Sequence, residues 1–198
     1  MNIKNTMDLS FNNIRAVITN ISFSLLLLLT TNVYANPNIE VGPELGKPAP
    51  PITVMNTLQQ PVTIQQLSGD KGLIILFFRS ADWCPFCKRH LIELNDHAEK
   101  SRKLGYGLAA ISYDNTAILK EFSEHKNISY PLLSDQNVKT MSAYNIVNSD
   151  YTVGDNNYGI PYPGVVVIGN TGKVIDKHFF KGYKNRVKFS NLYLQLVK

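Results

Sequence analysis

Runs of apolar residues alternate with polar stretches along the chain and predict strands and helices in turn. The strongest signal is the continuous apolar run at residues 73–78, LIILFF, which is typical of a central strand buried on both faces. From residue 85 to about residue 104, apolar side chains recur at helical spacing, which predicts a long helix. A buried strand that leads directly into a helix indicates an α/β architecture.

The remaining pattern completes that architecture. Further strands are predicted at residues 52–55, 62–64, 107–113, 130–133, 165–168 and 174–180. Further helices are predicted at residues 115–126, 136–144 and 186–197, with an irregular loop at residues 148–163 and a hairpin turn at residues 170–173. This order predicts an α/β domain with a central mixed sheet flanked by helices, in which an antiparallel hairpin and a closing helix come last.

Composition narrows the class of protein. The chain has 198 residues, 44% of them hydrophobic, with 20 Lys and Arg against 15 Asp and Glu. These values exclude a disordered chain, a collagen-like repeat and a disulfide-dense small scaffold. The formal net charge of +5 is mild and is spread along the sequence, so no nucleic-acid partner is expected.

The N-terminus has the pattern of an export signal. Lys4 and Arg15 precede an apolar run at residues 21–29, and Ala35 ends a short stretch that suits signal peptidase. The run is about half the ~20 residues that a spanning helix needs, so an uncleaved anchor is the weaker alternative. We therefore predict a signal peptide at residues 1–35, a domain at residues 36–198 and export to the periplasm, where disulfides persist.

The only two cysteines lie in the segment Cys84-Pro85-Phe86-Cys87, between the central strand and the long helix. At a helix N-terminus, unpaired N–H groups and the helix dipole lower a thiol pKa from about 8.5 towards 3.5–7.5. Pro85 suits the first helical position. We expect Cys84 to be an ionised, solvent-accessible nucleophile, and Cys87 to resolve the mixed disulfides that Cys84 forms.

Two alternatives for this pair remain open. A purely structural disulfide across so short a loop would contribute only about 2 kcal/mol before strain is subtracted. Cys84, Cys87 and His90 have the spacing of metal ligands, but no second cluster supplies a fourth ligand. Neither a metal nor another cofactor is expected.

Three segments resemble the thioredoxin superfamily, and within it the AhpC/TSA or redoxin family, over about residues 46–182. They are the lead-in at residues 46–50, the stretch Trp83 to Cys87 after the central strand, and residues 162–174. The resemblance implies a thioredoxin-like fold and a redox-active Cys84–Cys87 disulfide. It also implies that Trp83 flanks the site and that Pro163 is a cis proline packed against the disulfide.

The sequence departs from the family at positions that bear on the reaction. Peroxiredoxins typically have a proline and a threonine or serine where this chain has Phe77 and Ala81, and thioredoxin has a buried acid where this chain has Phe78. Rapid peroxide reduction is therefore in doubt. A proton acceptor for Cys87 would have to be another residue, for which Asp82 and Glu93 are candidates.

Other polar residues are candidates for supporting roles. They are Arg79, Lys88 and Arg89, which would add positive potential near the thiolate, and Tyr151, Tyr158 and Tyr162, which would shape a docking surface.

The hypothesis that follows is an exported thiol–disulfide oxidoreductase, whose expected partners are protein disulfides and a membrane-linked thiol electron donor. The first alternative is a peroxiredoxin-like thiol peroxidase that reduces hydroperoxides and has an antioxidant role. The second is a redox-inert binding module with a residual disulfide.

Overall fold

The computed structural model describes residues 41–197, so the predicted signal peptide at residues 1–35 lies outside the described residues. The strands are β1 (Val54–Met55), β2 (Pro61–Val62), β3 (Gly72–Phe77), β4 (Tyr106–Ser112), β5 (Leu132–Ser134), β6 (Gly164–Gly169) and β7 (Val174–Phe179). The helices are α1 (Ile64–Leu67), α2 (Pro85–Asp96), α3 (Ala98–Lys103), α4 (Thr116–His125), α5 (Lys139–Ala143) and α6 (Phe189–Leu196).

The strands form one mixed sheet. One half has the order β2-β1-β5-β4 and the other has the order β3-β6-β7. The halves meet where the backbone N–H of Phe78 donates to the carbonyl of Ile111 at 3.0 Å. Strands β4 and β5 are parallel, whereas β3, β6 and β7 are antiparallel neighbours. The predicted mixed sheet with a C-terminal antiparallel hairpin is therefore confirmed.

Strand β3 lies in the centre of the core, as its apolar run predicts. Its side chains point alternately to the two faces of the sheet. On one face Ile74 packs in a cluster with Leu91 of α2 and Phe189 of α6. On the other face Ile75 packs in a second cluster with Tyr144. Burial on both faces fixes β3 firmly, and the chain leaves its C-terminal end directly towards the cysteine pair.

The long helix predicted at residues 85–104 is two helices. Helix α2 ends at Asp96 and α3 begins at Ala98, and between them His97 has φ −99° and ψ 0°. The ring of His97 stacks on Tyr193 of α6, with ring centroids 5.2 Å apart. Because Ala98 is still buried, the apolar spacing continues across the break and cannot reveal it.

Helix α1 replaces part of a strand predicted at residues 62–64. Thr63 caps the helix: its hydroxyl accepts from the N–H of Gln66 at 3.3 Å, and the Gln66 side chain accepts from the N–H of Thr63 at 2.8 Å. This reciprocal capping box satisfies two N–H groups and favours the helix over an extended strand.

Helix α6 also begins later than predicted, at Phe189 rather than at Arg186. Residues 186–188 belong instead to the irregular segment that follows β7. Within residues 41–197, no helix is both long enough and apolar enough to cross a bilayer.

Candidate active site

The two cysteines form a disulfide at the N-terminus of α2. Cys84 is the N-cap residue, Pro85 is the first helical residue and Cys87 lies in the first turn, as the sequence predicts. The Cα atoms of Cys84 and Cys87 are 5.2 Å apart, and the backbone N–H of Cys87 donates to Sγ of Cys84 at 3.2 Å. After reduction, the same N–H group and the helix dipole favour the thiolate of Cys84.

A buried carboxylate, that of Asp114, holds the loop that leads from β3 to Cys84. Its Oδ1 accepts from the hydroxyl of Ser80 at 2.8 Å, and its Oδ2 accepts from the backbone N–H of Ala81 at 2.6 Å. Burial raises the pKa of Asp114, and the hydrogen bonds from Ala81, Ser80 and Ser112 oppose that rise. The carboxylate thus anchors the loop three residues before Cys84.

Ser80 extends this hydrogen-bond network towards the cysteines. Its Oγ accepts from the backbone N–H of Asp82 at 2.9 Å and from that of Trp83 at 3.3 Å. Sequence patterns alone do not pair Ser80 with Asp114. One signal in the sequence could have found them. Ser80 follows the C-terminal end of β3 and Asp114 follows that of the neighbouring strand β4, and residues at the C-terminal ends of neighbouring strands meet at one edge of a sheet.

The disulfide is buried, with Cys84 only 2% exposed and Cys87 0% exposed. The prediction that solvent reaches the sulfur of Cys84 is therefore wrong for this disulfide form. Residues 181–188, between β7 and α6, lie against the residues around this disulfide, and we call them the covering segment. Its Tyr183 packs edge-to-face against Phe86, with ring centroids 5.7 Å apart.

The covering segment also brings a cation to the disulfide. Nη2 of Arg186 donates to Sγ of Cys87 at 3.6 Å. Burial, together with the nearby charge of Arg79, lowers the pKa of Arg186 to about 10, so the guanidinium stays charged at neutral pH. Arg186 could not be predicted as a site residue, because it lies 99 residues after Cys87 and no sequence motif connects the two.

Of the three basic residues predicted near the thiolate, Arg79 is most closely built into the site. Its guanidinium carbon lies 5.0 Å from the ring centroid of Trp83 and 5.5 Å from that of Tyr183. Arg89 lies over the ring of Phe86 at 4.6 Å, and Lys88 is half-buried on the first turns of α2. Arg79 therefore links the residue before Cys84 to the covering segment.

Trp83 directly precedes Cys84 and remains 43% exposed. Its Nε1–H donates to the hydroxyl of Tyr113 at 2.9 Å, which fixes the orientation of the indole. Burial raises the pKa of Tyr113, so its hydroxyl stays protonated and able to accept this bond at neutral pH. An oriented, exposed indole beside the disulfide is suited to contacting a substrate.

Pro163 directly precedes β6 and is buried. Because the register pairs Gly164 with Phe77, Pro163 lies at the end of β3 from which the chain runs to Cys84. The Tyr162–Pro163 bond is trans, so the expectation of a cis proline is wrong. The trans form is the default for such bonds by about 0.5–1 kcal/mol, and in this form the carbonyl of Pro163 accepts from the N–H of Phe180 at 3.1 Å.

The three tyrosines predicted to form a docking surface do not lie together on one. Tyr162 is buried in the core, and its hydroxyl shares a hydrogen bond of 2.9 Å with Ser149. Tyr158 is exposed in the loop at residues 148–163. Only Tyr151 contacts a residue of the site, where its hydroxyl accepts from Nη2 of Arg79 at 3.4 Å.

The predicted proton acceptors Asp82 and Glu93 are both exposed, whereas the buried acid of the site is Asp114. His90, which a metal site would need, has its Nε2–H directed at the carbonyl of Val187 at 3.0 Å. Burial lowers the pKa of His90 to about 4, so the ring is neutral at pH 7. Among residues 41–197, no group of three or more His, Cys, Asp and Glu side chains is arranged to hold a metal ion.

Comparison with known proteins identifies the family. The model of the AhpC/TSA family matches residues 45–177. The chain belongs to the AhpC/TSA family. The resemblance drawn from the cysteine segment and its flanking residues is thereby confirmed.

Curated relatives of this AhpC/TSA chain divide into two kinds. Thiol-disulfide oxidoreductase ResA of Bacillus cereus is 26% identical over 135 residues, which cover 68% of this chain and 69% of ResA. Peroxiredoxin-2 of Rattus norvegicus is 31% identical over 136 residues, which cover 65% of each chain.

Solved structures of AhpC/TSA-like proteins share the fold. The TM-score is 0.66 with the peroxidoxin BcpB of Mycobacterium tuberculosis, at 18% identity over 78% of this chain and 96% of that chain. It is 0.65 with a peroxiredoxin-like protein of Aquifex aeolicus, at 20% identity over 82% of this chain and 88% of that chain. At these identities the likeness shows the fold alone, and it confirms the predicted thioredoxin-like fold.

The departures from the AhpC/TSA pattern have structural counterparts. Phe77 and Phe78 are both buried among core side chains. At the position where a peroxiredoxin has a hydroxyl, Ala81 instead donates its backbone N–H to Asp114. The neighbouring hydroxyl, that of Ser80, is used in hydrogen bonds within the loop. This loop is therefore built to position Cys84, with its polar groups already paired to one another.

Proposed function

We propose that this AhpC/TSA protein is an exported thiol–disulfide oxidoreductase that exchanges disulfides with protein substrates through Cys84 and Cys87. The observation that supports the proposal is the disulfide itself, formed with Cys84 as the N-cap of α2 and accepting the N–H of Cys87. A sulfur in that position is stabilised as a thiolate, and the thiolate is the nucleophile in disulfide exchange.

The reaction needs only two-electron exchange between sulfurs. The Cys84 thiolate attacks a substrate disulfide, a mixed disulfide forms and the first substrate sulfur leaves as a thiolate. Cys87 then loses its proton to water and attacks Sγ of Cys84, which releases the second substrate thiolate and forms the Cys84–Cys87 bond. The substrate gains two electrons and the enzyme loses two.

A thiol donor must reset the enzyme by the reverse exchange. Because an exported protein lies outside the reducing cytosol, we propose that this donor is membrane-linked. The proposal of export is supported by the signal-like pattern at residues 1–35. Cell fractionation and N-terminal sequencing test this point: a periplasmic protein that begins at Asn36 is expected, and a cytosolic chain that retains Met1 would contradict it.

Exchange with a protein also requires Cys84, which is 2% exposed in the disulfide form, to become accessible, and we propose that movement of the covering segment provides this access. The segment lies between two regular elements, β7 and α6, and its contacts with the site are few: Tyr183 with Phe86 and Arg79, Arg186 with Cys87, and the carbonyl of Val187 with His90. Opening it therefore leaves the sheet and α2 intact.

The central test is to trap the mixed disulfide. In Cys87→Ser the resolving sulfur is gone, so Cys84 is expected to accumulate in disulfides with substrate proteins that a reducing gel step releases. Cys84→Ser, which keeps one thiol at the same helix end, is the control and is expected to trap none. Equal trapping by both variants, or by neither, would contradict the proposal.

The redox-inert alternative makes a different prediction. A purely structural disulfide typically has a reduction potential below about −300 mV. We expect a higher potential here, measured by equilibration with a dithiol of known potential. A value below that limit, together with unchanged growth of a Cys84→Ala strain, would favour an inert module.

Peroxidase activity is the second candidate, because the buried Cys84 is more easily reached by a small hydroperoxide than by a protein. In that reaction the Cys84 thiolate attacks the O–O bond, forms a sulfenic acid and releases an alcohol or water; Cys87 then displaces water to form the disulfide. The pairing of Ser80 within the loop argues against a fast reaction. Stopped-flow oxidation of the reduced protein by peroxide decides: reaction far faster than that of a free thiol would favour the peroxidase.

A further inference from the structure

We propose that Arg186 is a catalytic residue whose guanidinium stabilises the Cys87 thiolate that leaves when a donor thiol reduces the disulfide. This inference rests on the proposed thiol–disulfide exchange and concerns its resetting half. It assigns a role to a residue outside the cysteine motif, on the covering segment.

The geometry is direct. Nη2 of Arg186 lies 3.6 Å from Sγ of Cys87, within hydrogen-bonding distance for sulfur. Nη1 of the same guanidinium donates to the carbonyl of Asn185 at 2.7 Å, which limits its rotation. The cation therefore already faces the sulfur on which negative charge will develop.

Cys87 needs such a partner because it is fully buried. A thiolate formed there has no direct access to water, and burial by itself raises a thiol pKa and makes the sulfur a poor leaving group. An opposite charge within about 4–6 Å favours the charged form by 1–3 pKa units. Arg186 is placed to supply that charge, in addition to the N-terminal dipole of α2.

The charge balance of the site points in the same direction. Arg79 raises the positive potential at Arg186, and burial adds to the cost of keeping the Arg186 guanidinium charged. Within the described part of the chain, neither arginine forms an ion pair with a carboxylate. A thiolate on Cys87 relieves the repulsion between these two cations, so reduction of the disulfide is favoured.

Contacts on both sides hold the cation in place. The Nε2–H of His90, one turn beyond Cys87 on α2, donates to the carbonyl of Val187 at 3.0 Å. His90 is neutral at pH 7 and adds no charge of its own. No nearby carboxyl group pairs with the guanidinium of Arg186 in the described residues: Asp82 and Glu93 are exposed, and Asp114 is hydrogen-bonded within the loop before Cys84.

Reduction by the donor proceeds in two exchanges. A thiolate of the donor dithiol attacks Sγ of Cys84, the Sγ–Sγ bond breaks, and Cys87 departs as a thiolate beside the Arg186 guanidinium. The second donor thiol loses its proton to water, attacks the donor sulfur of the mixed disulfide and releases the Cys84 thiolate. The donor is oxidised to a disulfide by two electrons, which the cysteine pair receives.

The test uses the full mature chain with Arg186→Met, Arg186→Lys and, as a matched control on the same segment, Lys184→Met. We expect Arg186→Met to lower the equilibrium constant for reduction by a reference dithiol about tenfold, which corresponds to about 30 mV. The reduction rate by dithiothreitol is expected to fall as well. Arg186→Lys is expected to restore much of the loss, and Lys184→Met to behave like wild type.

Two outcomes would overturn the inference. One is an unchanged potential in Arg186→Met, and the other is a change of equal size in Lys184→Met. Failure of the proposed function is distinguishable, because then the wild-type disulfide itself would not exchange with dithiols or trap substrate through Cys87→Ser. If Arg186→Met acted only by loosening the packing, the site would open and the disulfide would be reduced faster, whereas the inference predicts slower reduction.

Discussion

His90 donates a hydrogen bond from Nε2 to the backbone carbonyl of Val187, across 3.0 Å and 97 positions of sequence. His90 lies on the same helix as Cys87, and Val187 lies next to Arg186 on the covering segment. This contact ties the cover of the disulfide to the helix that holds the cysteines. The ring of His90 also stacks on that of Phe189, with ring centroids 4.6 Å apart, and this contact joins α2 to the first turn of α6.

The lowered pKa of His90 makes stability depend on pH. The folded-state value of about 4 is below the ordinary 6.5, so between these values the unfolded chain binds a proton that the folded chain does not. Stability from the neutral ring is therefore complete above pH 6.5 and is lost as the pH falls towards 4. From pH 7 to pH 4 the free energy of unfolding should fall by about 3 kcal/mol through this residue.

Urea unfolding of the wild type and of His90→Phe at both pH values measures this effect. The phenylalanine keeps the stacked ring but has no proton to gain, so its loss between pH 7 and pH 4 should be smaller by that amount. Parallel pH dependences of the two proteins would show that His90 does not titrate in this way.

Removing the ring of Tyr183 should open the cover. Tyr183→Ala abolishes the edge-to-face contact with Phe86 and the stacking on Arg79. We expect the disulfide to be reduced several-fold faster by a protein dithiol, with a smaller gain for dithiothreitol, because the larger reagent depends more on opening. Emission from Trp83, the single tryptophan, offers a readout beside Cys84.

The matched control for that experiment is Tyr158→Ala. Tyr158 is a comparably exposed tyrosine in the loop at residues 148–163. The Tyr158→Ala substitution should leave the rates of reduction by the protein dithiol and by dithiothreitol unchanged. If Tyr183→Ala also leaves them unchanged, the covering segment does not limit access.

Asp114 should matter more for stability than any exposed acid of the site. Asp114→Ala removes the acceptor for Ser80, Ala81 and Ser112, all within the buried end of the sheet. Unsatisfied buried donors cost about 1–3 kcal/mol each, so we expect a loss of at least about 2 kcal/mol in unfolding free energy. Asp82→Ala, an exposed acid on the same loop, should change stability by less than about 0.5 kcal/mol.

The exposed indole of Trp83 should contribute to binding of protein substrates. Trp83→Ala is expected to raise KM for a protein disulfide about tenfold, or about 1.4 kcal/mol, because an interfacial aromatic side chain supplies much of a binding surface. The rate with a small dithiol should change far less. An unchanged KM would remove Trp83 from the docking surface.

The sequence predicts an element of the fold where the burial of its side chains follows a regular local pattern. The apolar run of β3 and the apolar spacing of α2 predict both elements, because each pattern reflects the neighbours that cover it. The break at His97 could not be read, since Ala98 keeps the apolar spacing while the ring of His97 responds to Tyr193 of α6. Helix α1 was readable in principle through the pairing of Thr63 with Gln66.

The candidate site divides in the same way. Cys84, Pro85 and Cys87 lie within four residues, so their arrangement follows from the helix start alone. The contact of Asp114 with the loop before Cys84 depends on the sheet order, and the contact of Arg186 with Cys87 depends on the path of the chain after β7; both are long-range properties.

In the proposed exchange one atom serves two purposes, since Sγ of Cys84 takes part in the electron transfer and also accepts the N–H of Cys87 in the first turn of α2. A charged sulfur is a better acceptor than a bonded one, so gaining electrons tightens the first helical turn. Reciprocity then requires that any force fraying this turn, from a partner or a nearby substitution, shifts the electron balance towards the oxidised state. The order of the first turn of α2 and the redox equilibrium of the cysteine pair are thus thermodynamically coupled.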